Sequence, residues 1–321
     1  MLTRRHFTAG AVMLCGLPAR AQAWPAKPVK ILVPFAAGGN TDIITRLMAR
    51  QLGDMFKEQF VVENRPGANG AIAAEAVAKA PKDGYTLFMA ALPQIAIFPA
   101  MTKVNYDPVA DFAPVSNVGF NPFVLSASTK LVSAKTMSDF VAHVRSSKTN
   151  LSYGSGGVGS LGHLSMALLL ARAGLTMDHV PYQGGGPAMN DLVAGQLPFY
   201  FANLSEVLPH AKSGAIQMIA VSSAQRVPQL PSVPTVAETG YPGFKTLTWN
   251  GMLAPAGTPR DIVDALAAKI SVALKAADVI AAFDSFGVTP IGDRPEEFRA
   301  TIAEDIPLWA EAVKLAGLAQ K

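Results

Sequence analysis

The fold is decided by the stretch VKILVPFAAGGNTD, which runs from Val29 to Asp42. Residues 29–35 form the short, nearly continuous apolar run that is typical of a buried strand, and the glycines after them predict a turn. A helix is predicted to follow, because apolar residues recur at helical spacing: Ile44, Leu47, Met48, Leu52 and Met55. A strand that turns through glycines into a helix is the repeating unit of an α/β sheet.

The same order of strand, turn and helix returns along the chain. Further strands are predicted at 60–63, 85–91, 121–126, 150–153, 179–182, 199–201, 216–222 and 249–255. Further helices are predicted at 71–80, 137–145 and 161–173, after the turn 183–187 up to Val193, and at 260–282 and 295–318. Pro307 is expected to bend or divide the last helix. Strands that alternate with helices predict an α/β fold with a largely parallel sheet.

The length of the chain and its two closing helices predict two domains. The 321 residues are half hydrophobic, and they exceed the usual size of a single domain. The closing helices have no sheet of their own, so we expect them to pack on the first domain. The chain then crosses twice, with 24–122 plus 246–321 in lobe 1 and 123–245 in lobe 2. This predicts a hinged body with a ligand cleft between its lobes.

Two glycine turns, one in each lobe, are the candidate binding elements. The first glycine turn is FAAGGNTD (35–42), and the second glycine turn is YGSGGVGS (153–160). Each opens a helix, whose first N–H groups and dipole favour an anion. Two such turns facing each other across a cleft would hold a carboxylate without any arginine. The alternative is that both are ordinary turns in which Asn40 or Thr41, and Ser160, cap the helices.

The second glycine turn also raises a dinucleotide-binding enzyme as a rival. Gly154, Gly156 and Gly159 form a G-x-G-x-x-G pattern between a predicted strand and helix. The acidic residue that would bind the ribose is missing, because Asp178 comes before the next strand and not at its end. The G-x-G-x-x-G pattern alone is therefore weak support for a dinucleotide-binding enzyme.

A hydrolase is a second rival, and its candidate residues are Ser155 or Ser160 with His163. The serines do not form the G-x-S-x-G elbow, and a histidine one turn into a helix is also explained as a structural residue. Metal ligation is disfavoured, because none of the histidines shows a paired ligand spacing: His143, His163, His179 and His210. No metal and no cofactor is expected.

Residues 1–23 are predicted to be a cleavable signal peptide of the twin-arginine type. Arg4 and Arg5 precede a weakly apolar run at 9–17 and the small residues 21–23. The apolar run is shorter than the ~20 residues that span a bilayer. Cleavage after Ala23 would place the mature protein in the periplasm and would remove Cys15, the only cysteine. We therefore expect neither a disulfide nor a thiol nucleophile in the mature chain.

The charge balance argues against a nucleic-acid partner. The full chain has a net charge of +4, but the 24 basic and 23 acidic residues that follow the leader give only +1. The basic character thus belongs mostly to the leader, and no broad basic surface is expected.

Ordered motifs run through nearly the whole chain after residue 23. They include WPAKPVK (24–30), VPF (33–35), VENRPGA (62–68), DGYTL (83–87), YGSG (153–156), VPY (180–182), LPSVPTVAE (230–238) and APAGTP (254–259). Together they resemble the tripartite tricarboxylate transporter substrate-binding proteins, also called Bug proteins. The resemblance implies a two-lobed periplasmic binding protein of type II-like fold that is not an enzyme. Such a receptor captures a small organic acid and delivers it to a membrane permease of two subunits.

The resemblance also implies which residues bind the ligand, partly through ordered waters. Lobe 1 would contribute the first glycine turn, namely Phe35, Gly38, Gly39, Asn40, Thr41 and Asp42. Lobe 2 would contribute Ser155, Gly156, Gly159, Ser160 and His163 from the second glycine turn and its helix, and Tyr182, Gln183 and Gly184 beside it.

Two departures from the family pattern bear on the ligand. The stretch Ala91–Gln94 replaces hydroxyl-bearing residues, and Asn203 stands where an aspartate is frequent, so we expect Gln94 and Asn203 to face the ligand. An amide is a poorer partner than a carboxylate for an ammonium group. The ligand is therefore predicted to be a non-amino organic acid, such as a dicarboxylate or an aromatic acid. We expect a monomer, and a sensor that presents its ligand to a membrane kinase stays open as an alternative.

Overall fold

In the computed structural model, which describes residues 24–35, 37, 40–182 and 184–320, ten strands form a mixed β-sheet. The predicted signal peptide and three of the predicted site residues, Gly38, Gly39 and Gln183, lie outside the described residues. The strands are β1 (Val29–Val33), β2 (Phe60–Asn64), β3 (Thr86–Ala91), β4 (Phe112–Ser128), β5 (Ser152–Ser155), β6 (Asp178–Pro181), β7 (Phe199–Asn203), β8 (Ile216–Val221), β9 (Leu247–Pro255) and β10 (Thr289–Pro290).

The α-helices lie between and after these strands. They are α1 (Asn40–Phe56), α2 (Ala71–Ala78), α3 (Phe98–Met101), α4 (Met137–Ser146), α5 (Leu161–Ala173), α6 (Gly185–Ala194), α7 (Leu204–Val207), α8 (Arg260–Ala273), α9 (Ala277–Ser285) and α10 (Pro295–Leu315). Helix α5 has the predicted bounds, because Ser160 caps its first turn and Gly174 ends it in the left-handed conformation, with φ +59°.

The strand order is β2-β1-β3-β9-β4-β7-β5-β6, with β8 and β10 also paired to β4. Strand β4 belongs to both halves of the sheet. Its residues up to Pro122 pair with β9, whereas those from Phe123 onwards pair with β7 and β8. The chain returns beside this point, where the N–H of Thr246 donates to the carbonyl of Ser222 over 3.1 Å. The fold is thus α/β and two-lobed, and the chain passes twice between the lobes.

The first half of the sheet is covered on both faces, as expected for strands that are apolar throughout. Ile31 and Val33 pack with helices α1, α8 and α9, whereas Leu32 packs with α2 and α10 on the opposite face. The core on the α10 face continues into the second lobe, where it includes Phe199 and Leu169. Helix α10 therefore packs on both lobes.

Three predictions differ from the structure. The sheet, predicted to be largely parallel, is mixed, because β4 pairs antiparallel with β7, β8, β9 and β10, and β9 pairs antiparallel with β3. The predicted strand 121–126 is part of the much longer β4, which register shifts beside Pro114 and Asn117 allow to run past a proline. The predicted helix 260–282 is two helices, α8 and α9. Pro307 does not divide α10. Trp309 and Val313, which follow Pro307 in α10, are fully buried in the core, and this packing offsets the missing backbone donor.

Among the helices of the described residues, none is both long enough and apolar enough to cross a membrane.

Candidate ligand-binding site

The end of the first glycine turn is fastened to the strands at the interlobe crossing. The hydroxyl of Thr41 donates to Oδ1 of Asn250 on β9 over 2.6 Å, and the amide of Asn40 donates to Oδ1 of Asn121 on β4 over 3.4 Å. Asn121 in turn donates to the carbonyls of residues 286 and 287, over 3.1 and 3.0 Å. Since Thr41, Asn121 and Asn250 are all buried, the start of α1 has a fixed position relative to both strands.

Asp42 holds the same turn together from beneath. Its carboxylate accepts from Nε of Arg46 over 3.0 Å and from the amide of Asn64 over 2.9 Å, and it is 2% exposed. The Asn64 amide also donates to the carbonyl of Phe35 over 3.0 Å. Arg46 offsets the charge of Asp42, so this acid does not leave an uncompensated negative charge beside the helix terminus.

The second glycine turn is built around α5. The hydroxyl of Ser160 accepts from the N–H of His163 over 3.4 Å, and the N–H of Gly159 donates to Nδ1 of His163 over 3.1 Å. Gly159 has a φ of +73°, and a Cβ there would lie 2.6 Å from Cε of Met101 in α3. Only glycine fits this close approach of the turn to the first lobe. Residues 161 and 162, at the first two helical positions, keep N–H groups without a partner inside the helix.

A pair of neutral imidazoles supports this turn. The rings of His163 and His179 stack with centroids 3.7 Å apart and planes 7° from parallel. Burial lowers the pKa of His163 to about 4, to which the neighbouring His179 contributes, and burial also lowers the pKa of His179. Nε2 of His179 lies 2.6 Å from the hydroxyl of Ser155, which also donates to the carbonyl of Gly157 over 2.9 Å.

This arrangement differs from a nucleophile–base pair. Ser155 is fully buried and bonds to His179, whereas Nδ1 of His163 accepts from the backbone of Gly159. A nucleophile needs access to substrate and an oriented base, and the buried Ser155 has no such access. Asp178 is the first residue of β6 and does not lie at the end of the strand, where a ribose contact would be made.

Two tyrosines near the second glycine turn donate hydrogen bonds to carboxylates. The hydroxyl of Tyr182 donates to Asp191 over 2.8 Å, and that of Tyr200 donates to Glu206 over 2.7 Å. Burial raises the pKa of Glu206, whose carboxyl group lies directly against Gly185, the first residue of α6. The N-terminus of α6 is therefore already faced by an acid of the protein, in contrast to that of α5. Gly184, with a φ of +112°, leads into this helix.

Gln94 and Asn203 make local hydrogen bonds. Gln94 is fully buried, and its amide donates to the carbonyl of Asn69 over 2.9 Å and accepts from the N–H of Ala91 over 3.1 Å. Oδ1 of Asn203 accepts from the N–H of Ser205 over 3.1 Å and from its hydroxyl over 2.8 Å, so Asn203 caps α7. Both side chains fix the backbone around them.

Several residues that build these turns are not predicted as site residues from the sequence: Asn64, Asn121, His179, Glu206 and Asn250. One of them has a local signal, since Asn203 followed three residues later by Glu206 is a capping-box pattern. His179 has none, because its approach to Ser155 follows from the parallel pairing of β5 with β6. In the described part of the chain, no group of three or more His, Cys, Asp or Glu residues is placed to hold a metal ion.

The described residues form a two-lobed α/β body of the kind found in periplasmic binding proteins, and its family and structural neighbours are non-catalytic solute-binding receptors. Residues 44–318 match the sequence model of the tripartite tricarboxylate transporter family receptors, and the chain belongs to this family. The exported-hydrolase alternative has no support from this family.

Three similar proteins illustrate the relationship. Protein BugT of Bordetella pertussis is 36% identical over 302 residues, which cover 94% of this chain and 92% of BugT. An R. palustris protein solved with adipate has a TM-score of 0.77 and 35% identity, and covers 92% of this chain and 99% of its own. MatC of Rhodopseudomonas palustris with bound malate has a TM-score of 0.73 and 33% identity, and covers 90% of this chain and 100% of its own.

Proposed function

We propose that this receptor captures a small dicarboxylic acid between its lobes and delivers it to the two-subunit membrane permease of a tripartite transporter. The observation that carries the proposal is the capped N-terminus of α5, where Ser160 and His163 hold the second glycine turn and leave helix N–H donors open. The relatives solved with adipate and malate support a ligand with two carboxylates and no ammonium group.

The proposed site divides into residues that touch the ligand and residues that hold them. Asn40, Thr41 and Ser160, with the backbone of Gly38, Gly39, Gly156 and Gly159, are proposed to contact the carboxylates. Asp42, Ser155 and His163 hold the turns from beneath. Phe35, Tyr182, Gln183, Gly184 and Asn203 are proposed to line the cleft, and the fully buried Gln94 is proposed to fix the backbone beside it.

The proposed lobes are 24–122 plus 246–321, and 123–245. The change in the partners of β4 after Pro122 supports this division. Ligand binding would stabilise the closed arrangement, since only closure brings both glycine turns onto one ligand. The mature protein is proposed to act in the periplasm as a monomer, after cleavage of the leader behind Ala23.

Calorimetric titration of the chain from Trp24 onwards tests the ligand class. Adipate and malate are expected to bind, and aspartate and glutamate are expected to bind more weakly. Replacement Ser160→Ala is expected to weaken dicarboxylate binding about tenfold, which corresponds to ~1.4 kcal/mol. Thr136→Ala is the matched control, because Thr136 caps α4 in the same way, away from the glycine turns.

Two outcomes would contradict the proposal. Tight binding of aspartate or glutamate without binding of adipate or malate would exclude the dicarboxylate class. Equal binding by the wild type and the Ser160→Ala variant would remove the α5 terminus from the site. Capture of membrane partners with the mature protein then separates transport from sensing: a permease supports the proposal, whereas a kinase supports the sensor alternative.

A further inference from the structure

A cavity of about 490 Å³ lies at the hinge. On one side, β4, β9, β10 and α10 form its wall, and on the other side residues 223–228 and Lys245 close it. None of the residues proposed above to bind the carboxylate lines this cavity. The cavity is therefore separate from both glycine turns.

One buried polar atom in this cavity lacks a partner. Asn117 lines the cavity and is 5% exposed, and its Oδ1 accepts no hydrogen bond from the described residues. A buried acceptor without a donor destabilises the folded protein, because it has lost its hydrogen bond to water. A ligand that offers a donor at this position would remove that destabilisation.

Two carboxyl groups line the same cavity. Asp293 accepts from the N–H of Asn117 over 2.7 Å, and Asp305 accepts from Nε1 of Trp249 over 2.7 Å. Burial raises the pKa of each to about 6. Neither forms an ion pair with a lysine or arginine among the described residues. Both groups therefore have acceptor capacity left for a ligand.

The basic residues at the rim are engaged or face solvent. Arg226 pairs with Glu238 over 3.0 Å and donates to the carbonyl of Pro231 over 3.3 Å. Lys245 is exposed and forms no ion pair with Asp305, although its charge opposes the effect of burial on the pKa of Asp305. Between the polar groups, Phe120, Val227 and Trp249 supply apolar and aromatic surface. Polar acceptors around an apolar wall fit a molecule with a cationic donor and an apolar body, because a cation gains both from the carboxylates and from the aromatic faces.

We propose that the hinge cavity binds a small organic ammonium ion with an aromatic or branched apolar body, independently of the carboxylate ligand. The ammonium group donates to Asn117 and to the carboxylate of Asp305, and the apolar body packs on Phe120 and Trp249. The carboxylate site contains none of these side chains.

The test uses 2-phenylethylamine as the probe, with its neutral and anionic analogues 2-phenylethanol and 3-phenylpropionate. Binding to the chain from Trp24 onwards is followed at pH 7.5 by the indole N–H resonances of the three tryptophans, Trp24, Trp249 and Trp309. Trp249→Phe assigns the resonance of the indole that donates to Asp305. The amine is expected to shift this resonance saturably and to bind about tenfold or more tightly than either analogue.

Charge-matched variants locate the site. Asp305→Asn keeps an acceptor for Trp249 and is expected to weaken amine binding about tenfold. Glu311→Gln removes the same charge from an exposed residue of α10 that does not line the cavity, and it is expected to leave amine binding unchanged. Asn117→Ala removes the unpartnered acceptor and provides the test if Asp305→Asn does not fold.

Several results would overturn the proposal. The first is the absence of a saturable shift of the Trp249 resonance, or a shift confined to Trp24 or Trp309. The others are equal binding by the neutral or anionic analogue, and equal losses in Asp305→Asn and Glu311→Gln. Titration of the amine with and without saturating adipate keeps the proposal distinct from the carboxylate function. Amine binding without adipate binding would support the cavity and contradict the dicarboxylate proposal.

Discussion

Acidification is expected to destabilise this protein through the stacked pair His163 and His179. Burial holds the pKa of His163 at about 4, below its ordinary value of 6.5. The unfolded chain therefore takes up a proton at His163 before the folded chain does. The stabilising contribution is complete above pH 6.5, decreases as the pH falls, and is lost once the pH passes the folded pKa of about 4.

The size of this effect follows from the two pKa values. Their full difference corresponds to about 3 kcal/mol of unfolding free energy at ~1.4 kcal/mol per pH unit. Between pH 7 and pH 5 the expected loss is about 2 kcal/mol, since most of the unfolded chains are protonated at His163 by then. With 6% of His163 exposed, solvent screening is small. The pKa of His179 is also lowered, so its contribution has the same sign.

The assay is urea unfolding at pH 7, 6 and 5 for the wild type and His163→Asn. Asparagine does not titrate, and its Oδ1 can accept from Gly159 in place of Nδ1. The wild type is expected to lose about 2 kcal/mol more than the variant over this range, and His210→Asn controls for the loss of a histidine elsewhere. Identical pH dependence in the wild type and His163→Asn would refute the reasoning. Protonation of Nδ1 in the folded protein also removes the acceptor for Gly159, so adipate affinity is expected to fall only as the pH approaches the folded pKa of about 4.

Two further substitutions probe the glycine turns, and urea unfolding measures both. Thr41→Val leaves Oδ1 of the buried Asn250 without its donor and is expected to lower the free energy of unfolding by about 1–3 kcal/mol. An unchanged free energy of unfolding would mean that water replaces the hydroxyl. Gly159→Ala introduces a Cβ at φ +73° and against Met101, so it is expected to lower the free energy of unfolding by about 2 kcal/mol. Gly186→Ala is the control: a Cβ there meets nothing within 4 Å, and the substitution is expected to be neutral or stabilising.

The periodic parts of the fold could be predicted from the sequence because local signals agree with tertiary structure there. Helix α5 combines an apolar face with a serine cap and a glycine end, and its predicted bounds are confirmed. In the strand before the first glycine turn, every residue except Lys30 is buried, as its nearly continuous apolar run predicted. The membership in a receptor family follows equally from motifs that are local in sequence.

Non-local pairing explains what the sequence analysis missed. Strand β4 contains Pro114 and Pro122, which obscure its pattern, and only its register shifts show how a strand accommodates them. The boundary between α8 and α9 contains neither glycine nor proline, so tertiary packing and not local propensity ends α8. Predicting the contact of His179 with Ser155 requires knowing that β5 and β6 are neighbouring strands.

Strand β4 restricts how the two lobes can move. Because one strand is hydrogen-bonded in both lobes, neither lobe can slide along the other without breaking its ladder. Bending and twisting of the backbone around Pro122 keep every pair in register. The adjacent bond from Thr246 to Ser222 adds a second point of attachment and limits rotation about β4. Repeated opening and closing would therefore return the glycine turns to the same relative placement each time.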